Sequence, residues 1–264
     1  MRPLTIATWN VNSVRAREAR LTAWLRERQP DVVCLQELKC EEATFPWDPI
    51  RFAGYEACIA GQKTYNGVAI LARAELSLTD VQRGLDDGEP DPHARLIAAT
   101  VGGVRVVSVY APNGQSVGSD KWNYKLAWYD RLRGFLETRC RAGEPLALCG
   151  DFNVAPEARD VHDPARWEAE TLYHPRARQA LADVTSWGLT DTFRQHVDDG
   201  GFYSWWDYRA GSFHKNMGLR IDHIFATAPL AQRCLAASID REARKGKDPS
   251  DHTPVVASFE YLDA

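Results

Sequence analysis

Residues 146–153 read LALCGDFN, a short apolar run that passes straight into Gly150 and Asp151, with Asn153 two residues on. An apolar run of this length closed by glycine and polar residues is the pattern of a buried strand. The same pattern recurs through the chain. Leu4 to Trp9 is followed by Asn10, and Asp31 to Leu35 (DVVCL) runs into Gln36 and Glu37. Further runs lie at Gly67 to Leu71, Leu96 to Val101, Val104 to Tyr110, Arg220 to Phe225, Cys234 to Ile239 and Val255 to Tyr261. Helical spacing is rarer. Leu21, Trp24 and Leu25 share a face that Pro30 ends after Gln29, and Leu126, Tyr129, Leu132, Phe135 and Leu136 mark a helix starting near Lys121. A third helix covers Ala177 to Trp187, with Leu181 and Val184 inward and Gly188 as its stop. The loops at 86–92 and 113–119 are too short to separate domains, and no internal repeat is present. Many strands and few helices predict one α/β domain over residues 1–264, with packed sheets flanked by helices.

The composition narrows the class. With 44 % hydrophobic and 26 % charged residues the chain is not disordered. Its 32 Lys and Arg against 36 Asp and Glu give a net charge of -4, which speaks against DNA binding through an evenly basic surface. Nine Trp supply flat faces for core packing or for stacking on bases and sugars. The first residues, MRPLTIATWNVN, lack the apolar core of a signal peptide, and no run is long enough for a membrane span. Six cysteines show no CxxC, and Cys34 and Cys149 fall inside apolar runs. The expectation is a reduced, cytoplasmic protein without disulfide or zinc.

The position of the polar residues carries the functional signal. Asn10, Glu37, Tyr110, Asp151 with Asn153, Asp222, and Asp251 with His252 each fall at or just beyond a strand. In a sheet protein such ends converge on one rim. Carboxylates, an Asp–His pair and asparagines, with no cysteine, suit a hard cation such as Mg²⁺ or Mn²⁺ and metal-assisted phosphodiester hydrolysis. Each residue alone has a plainer reading. Asp151 could cap a turn, Asn10 could satisfy loop backbone, Glu37 could be a surface carboxylate, Asp222 could pair with Arg220 or Lys215, and His252 could be a satisfied loop histidine.

Eight segments in order give the pattern a family. TWNVNS from Thr8, PDVVCLQELK from Pro30, VYAPNG from Val109, GDFNVAP from Gly150, SWGLTDTFR from Ser186, YSWWDYR from Tyr203, GLRIDHIFAT from Gly218 and SDHTPV from Ser250 closely resemble the exonuclease III family of DNA-repair nucleases, within the endonuclease/exonuclease/phosphatase superfamily. The WN, LQE, GDxN and SDHxPV elements belong to the whole superfamily, whereas SWGLTDTFR, YSWWDYR and GLRIDHI resemble its DNA-acting branch. The resemblance implies a four-layered α/β sandwich of two mixed sheets with helices outside. It also implies that Glu37, with Asn10 and Asp251 nearby and Asn12 acting through water, forms the metal site. Asp151 would activate the attacking water or protonate the leaving oxygen, and Asn153 would orient that water or donate to the phosphoryl oxygens. Asp222 would fix the His252 tautomer, and Tyr110 would bond a phosphate oxygen or assist the leaving group.

The activities implied are 3′→5′ exonuclease action on duplex DNA, removal of 3′-blocking groups and incision at abasic sites, by a monomer using Mg²⁺ or Mn²⁺. His162, eleven residues beyond Asp151, occupies a position where abasic-site endonucleases of the family carry glycine. It either narrows the substrate cleft and favours terminal 3′ chemistry or caps the acidic turn Asp160 to Asp163. Trp205, Trp206 and Tyr208, with Leu219 facing them, align with the family's sugar pocket. One of the adjacent tryptophans must face the core, and the alignment favours Trp205 as the one at the DNA. Lys121, Trp122 and Lys125 form either a phosphate-contacting patch or a solvated helix start. Rival readings are a phosphatase of soluble phosphoesters and an inactive binding module.

Overall fold

The computed structural model describes residues 3–260. β1 (Leu4–Asn10), β2 (Val32–Gln36), β3 (Tyr55–Ala60), β4 (Val68–Arg73), β11 (Cys234–Ile239) and β12 (Val255–Phe259) form one mixed sheet in the order β11-β12-β1-β2-β4-β3. β5 (Leu78–Arg83), β6 (Leu96–Val101), β7 (Val104–Tyr110), β8 (Leu146–Asp151), β9 (Leu189–Asp191) and β10 (Asp222–Thr227) form the other, in the order β5-β6-β7-β8-β10-β9. The helices are α1 (Glu18–Arg28), α2 (Trp47–Phe52), α3 (Asp120–Arg139), α4 (Pro164–Trp167), α5 (Pro175–Thr185) and α6 (Ala228–Ala231).

The sheets face each other across a core that includes Ile6, Val32, Cys34, Ile70, Ile97, Val106, Cys149 and Ile224. Because β1, β2, β4, β7 and β8 are covered on both faces, they read as nearly unbroken apolar runs. Each Val, Ile or Leu so enclosed contributes roughly 1.5–3 kcal/mol. Leu21, Trp24 and Leu25 of α1 close the outer face of the first sheet over Trp9, Val33 and Leu71. Trp128, Leu132 and Leu136 of α3, with Leu181 and Val184 of α5, close the second over Val107 and Leu148. Four layers result, as the family resemblance implied.

Helix ends obey local chemistry. Gln29 adopts the left-handed conformation at φ 47° before Pro30 and ends α1, and the Ser119 side chain accepts from Trp122 N–H to start α3. The run expected from Arg220 enters the sheet only at Asp222, because Arg220 is turned aside onto Asp160. The end of the last expected strand, Tyr261, lies outside the described residues. β5, with four of its six residues exposed, and three-residue β9 carry too little apolar pattern to be seen in the sequence. No described helix is long and apolar enough to cross a membrane.

Candidate active site

Each sheet has one parallel pair, and the two pairs deliver the site. β1 beside β2 ends with Asn10 in register with Gln36, and β7 beside β8 ends with Tyr110 in register with Asp151. β10 enters antiparallel with Asp222 opposite Asp151. A Cβ at Gly150 would lie 2.0 Å from the Val109 carbonyl, so only glycine lets β8 lie this close to β7. Beyond the strands, Asn12, Glu37 and Asn153 hold φ of 45°, 53° and 51°, the left-handed strain common at working sites.

Asn10 joins the two sheets. It is fully buried, and its Nδ2 donates to Glu37 Oε1 at 2.8 Å and to Asp151 Oδ2 at 2.9 Å. Its Oδ1 accepts from the Asn12 backbone N–H at 3.0 Å, which fixes the amide's orientation. Glu37, Asp151 and His252 each offer an atom within 4.8 Å of the others, and this is the group that could hold a cation. Lys39, not anticipated from the sequence, places Nζ 2.8 Å from Glu37 Oε2 and 2.5 Å from Asn12 Oδ1. Asp251 stands apart from the trio. It accepts from Trp205 Nε1 at 3.0 Å and from Asn12 Nδ2 at 2.9 Å, so both of its oxygens are engaged.

The Asp–His pair forms as expected. His252 Nδ1 donates to Asp222 Oδ2 at 2.8 Å, and Nε2 lies 3.7 Å from Asp151 Oδ2. Neither Arg220 nor Lys215 pairs with Asp222; among the described residues its other oxygen, Oδ1, is buried without a partner. Burial works against a charge on His252, but the Asp222 and Asp151 carboxylates outweigh it and raise its pKa to about 10. Burial raises the Asp151 pKa to about 7, with His252 opposing and Asp222 adding to the rise. Burial, then the Glu37 and Asp151 carboxylates, push the Tyr110 phenol well above its usual range, so it remains a hydroxyl donor. The Arg95 guanidinium stacks 4.9 Å from the Tyr110 ring centroid and donates to its carbonyl.

Asn153 is committed inward. Its Nδ2 donates to the Ala111 carbonyl at 2.9 Å and to Asp151 Oδ2 at 3.3 Å, and its Oδ1 accepts from Asn113 at 3.2 Å. It therefore orients Asp151 rather than reaching outward. Beneath it, Lys125 Nζ donates to the carbonyls of Asn113, Asn153 and Thr171 at 3.2, 2.7 and 2.9 Å. Lys125 and Trp122 are buried, which corrects both readings of this segment, the phosphate-contacting patch and the solvated helix start; only Lys121 of the three is exposed. Burial lowers the Lys125 pKa to about 7, with Asp151 opposing. The sequence did hold a signal: Lys125 lies three and seven residues from Trp122 and Leu132, inside the apolar stripe of α3.

The substrate side also needs correction. Trp206 is fully buried, packed edge-on to Phe213, and Leu219 is fully buried, so neither presents a surface to a ligand. Alternation along the chain leaves Trp205 partly exposed, touching Asp251. Trp167 stands edge-on to Trp205 at 6.0 Å, and His162 edge-on to Trp167 at 6.3 Å, a continuous aromatic wall leading away from Asp251. Trp167 was not foreseen. His162 does not cap the acidic turn. Glu157 and Asp160 cap it reciprocally, Asp163 accepts from Arg166 N–H, and the His162 ring lies on the Gly218 carbonyl.

The segments most specific to the DNA-acting branch build the support of that wall. Asp160, fully buried, accepts from Arg220 Nε at 2.7 Å and from Arg194, while Arg220 also reaches Asp191 at 2.8 Å. Arg220 donates to His223 Nδ1 at 2.9 Å, and His223 Nε2 donates to the Val154 carbonyl at 3.1 Å. Burial and then Arg220 lower the His223 pKa to about 4, which keeps it neutral and able to accept. Gly218 is needed at the wall's base, where a Cβ would meet Trp206 Nε1 at 2.5 Å.

Comparison with known proteins agrees with this geometry. The family model described as endonuclease/exonuclease/phosphatase matches residues 7–252. Exodeoxyribonuclease III of Haemophilus influenzae is 33 % identical, over 96 % of this chain and 98 % of its own length. An AP endonuclease from Archaeoglobus fulgidus superposes with a TM-score of 0.94 at 39 % identity, over 97 % and 99 % of the two chains. The Neisseria 3′ phosphatase NExo, solved bound to a product DNA hairpin, gives 0.93 at 40 % identity, over 98 % and 100 %. A chain that matches this family model over nearly its whole length, with its polar strand ends gathered on one rim, belongs to the endonuclease/exonuclease/phosphatase family.

Proposed function

We propose that the protein is a DNA-repair nuclease that hydrolyses phosphoester bonds at the 3′ ends of duplex DNA. It acts as a 3′→5′ exonuclease and removes 3′-blocking groups, with abasic-site incision restrained by His162, as a cytoplasmic monomer. The observation that carries this reading is Asn10 joining Glu37 and Asp151 beside the Asp222–His252 pair. The exodeoxyribonuclease, AP endonuclease and 3′ phosphatase among the similar proteins support DNA as the substrate.

Two carboxylates and an imidazole within 4.8 Å, without cysteine, fit a hard divalent cation, and Mg²⁺ with Mn²⁺ as substitute is the assignment. Held at the Glu37 carboxylate, on the side of the trio away from the protonated His252, such an ion would neutralise charge on the phosphoryl oxygens and leave Asp151 and His252 free for proton chemistry. The chain's own groups do the rest. Asp151 takes the proton of the attacking water, its raised pKa matching a base that works near neutral pH. His252, kept cationic by Asp222, donates to a phosphoryl oxygen, and the Tyr110 hydroxyl donates beside it. Asn10 and Asn153 hold the Asp151 carboxylate in place.

EDTA should abolish digestion of a 3′-recessed duplex and Mg²⁺ should restore it; cleavage that persists in EDTA contradicts the assignment. A soluble phosphomonoester tested in parallel separates a DNA enzyme from a general phosphatase. The restraint at His162 has its own test. In His162→Gly the wall retreats from the cleft, and incision of an internal abasic duplex should rise about tenfold relative to 3′-end removal, the order of about 1.4 kcal/mol of relieved clash. Unchanged incision removes His162 from substrate selection.

A further inference from the structure

Three arginines stand side by side behind the rim, and only two have acceptors. Arg17 donates to the carbonyls of Asn12 and Pro249 and to the Tyr208 hydroxyl. Arg20 donates to the carbonyls of Ala243, Lys245 and Lys247. Arg244 is only 7 % exposed, and among the described residues it has no hydrogen bond and no carboxylate oxygen within 4.0 Å. Its guanidinium is stacked between Tyr208 at 5.1 Å and Phe213 at 5.2 Å. Ring faces satisfy its charge in part but none of its N–H donors. Burial and the neighbouring Arg20 and Arg17 disfavour the cation, while Tyr208 and Asp251 support it.

The guanidinium lines a cavity of about 260 Å³ together with Tyr208, Ser212, Phe213, His214 and Lys245. Asp207 also borders it, but that carboxylate is held by Arg209 at 2.7 Å. We propose that this cavity is a phosphate-binding subsite, separate from the hydrolytic centre, whose anchor is the unpartnered Arg244 guanidinium. A planar fork of donors matches two phosphate oxygens at once, and the anion offsets the crowding of three cations. The subsite is linked to the centre through Tyr208, whose hydroxyl accepts from Asn12 Nδ2, the same amide that holds Asp251. On the reading of a DNA enzyme, on which the choice of occupant rests, the phosphate is a backbone phosphodiester of the bound duplex, away from the scissile bond. Free inorganic phosphate shares the chemistry.

The test compares Arg244→Met with the parent in an Asp151→Asn background, where the duplex stays intact. Dissociation constants for a 3′-recessed duplex are measured across a range of NaCl, and melting temperatures with and without inorganic phosphate. Arg244→Met should weaken binding about tenfold and reduce the log–log salt slope by about 0.9, the signature of one lost phosphate contact. In the otherwise native chain kcat/KM for the 3′-recessed duplex should fall by about the same factor as binding weakens. If free phosphate is the occupant, phosphate raises the melting temperature of the parent alone and DNA binding is equal in both. A variant that matches the parent in salt slope and in its response to phosphate overturns the subsite, whatever its melting temperature or affinity. A parent that binds no duplex overturns the DNA reading instead, and the phosphate arm still reports on Arg244.

Discussion

Replacing Asp151 by asparagine should lower kcat by about 10³–10⁴-fold while the protein stays folded, with a melting temperature within about 4 °C of the parent. The carboxylate is almost fully buried, and burial is the main cause of its raised pKa. A neutral amide of the same shape escapes that desolvation. The offsetting cost is local: the amide oxygen stays at the Oδ2 position, which accepts from Asn10 Nδ2 at 2.9 Å and Asn153 Nδ2 at 3.3 Å, so the new NH₂ takes the Oδ1 position and faces the Asn153 backbone N–H at 2.8 Å, donor against donor. The two effects oppose and nearly cancel in stability. In catalysis nothing cancels, because an amide cannot take the water's proton and no other described carboxylate is placed to substitute. Glu37 is paired with Lys39, and Asp222 is occupied by His252. Kinetics on a 3′-recessed duplex and a thermal melt on one preparation suffice. A loss below tenfold removes Asp151 from the chemical step, and a collapse of the melt makes its role structural.

The strand ends were legible because a sheet writes its edge into the chain. Asn10, Glu37, Tyr110, Asp151 and Asp222 each fall where an apolar run meets the rim; register sets Tyr110 and Asp222 on either side of Asp151, and Asn10 reaches across from the other sheet to Glu37 and Asp151. What the linear pattern hides is whether a polar residue turns inward. Lys125 and Arg220 look like surface cations in the sequence, yet both are buried against oxygen acceptors supplied by distant loops. The same holds in reverse for Leu219, which the resemblance placed at a ligand and the fold closes beneath Trp205. The net charge of -4 is misleading for this reason. It counts the buried carboxylates Asp151 and Asp222 as if they were surface, and it counts Arg194, Arg220 and Lys125 as if they faced a partner.

Lys125→Met should lower both stability and turnover, and the second effect separates a positioning role from simple packing. An ammonium has three N–H donors, and this one spends them on the carbonyls of Asn113, Asn153 and Thr171. Methionine fills much of the space and strands three buried acceptors, each costing about 1–3 kcal/mol, while the buried charge and its desolvation disappear. The net loss is about 3–5 kcal/mol, as for breaking a buried ion pair, or roughly 10 °C in melting temperature. Arginine does not rescue it: a Cβ at Gly114 would already lie 3.0 Å from Lys125 Cδ, so a larger head has no room. The ammonium also ties together the two loops whose asparagines, Asn113 and Asn153, meet at 3.2 Å and set the Asp151 carboxylate. Well below its melting temperature, Lys125→Met should therefore keep the parent's KM for duplex DNA and lose at least about tenfold in kcat, an error of a few tenths of an ångström at the base being enough. A control that empties the same core without touching the loops, Leu132→Ala beside α3's buried face, should lose comparable stability and keep its kcat. If both variants turn over like the parent when fully folded, Lys125 holds the fold together and nothing more.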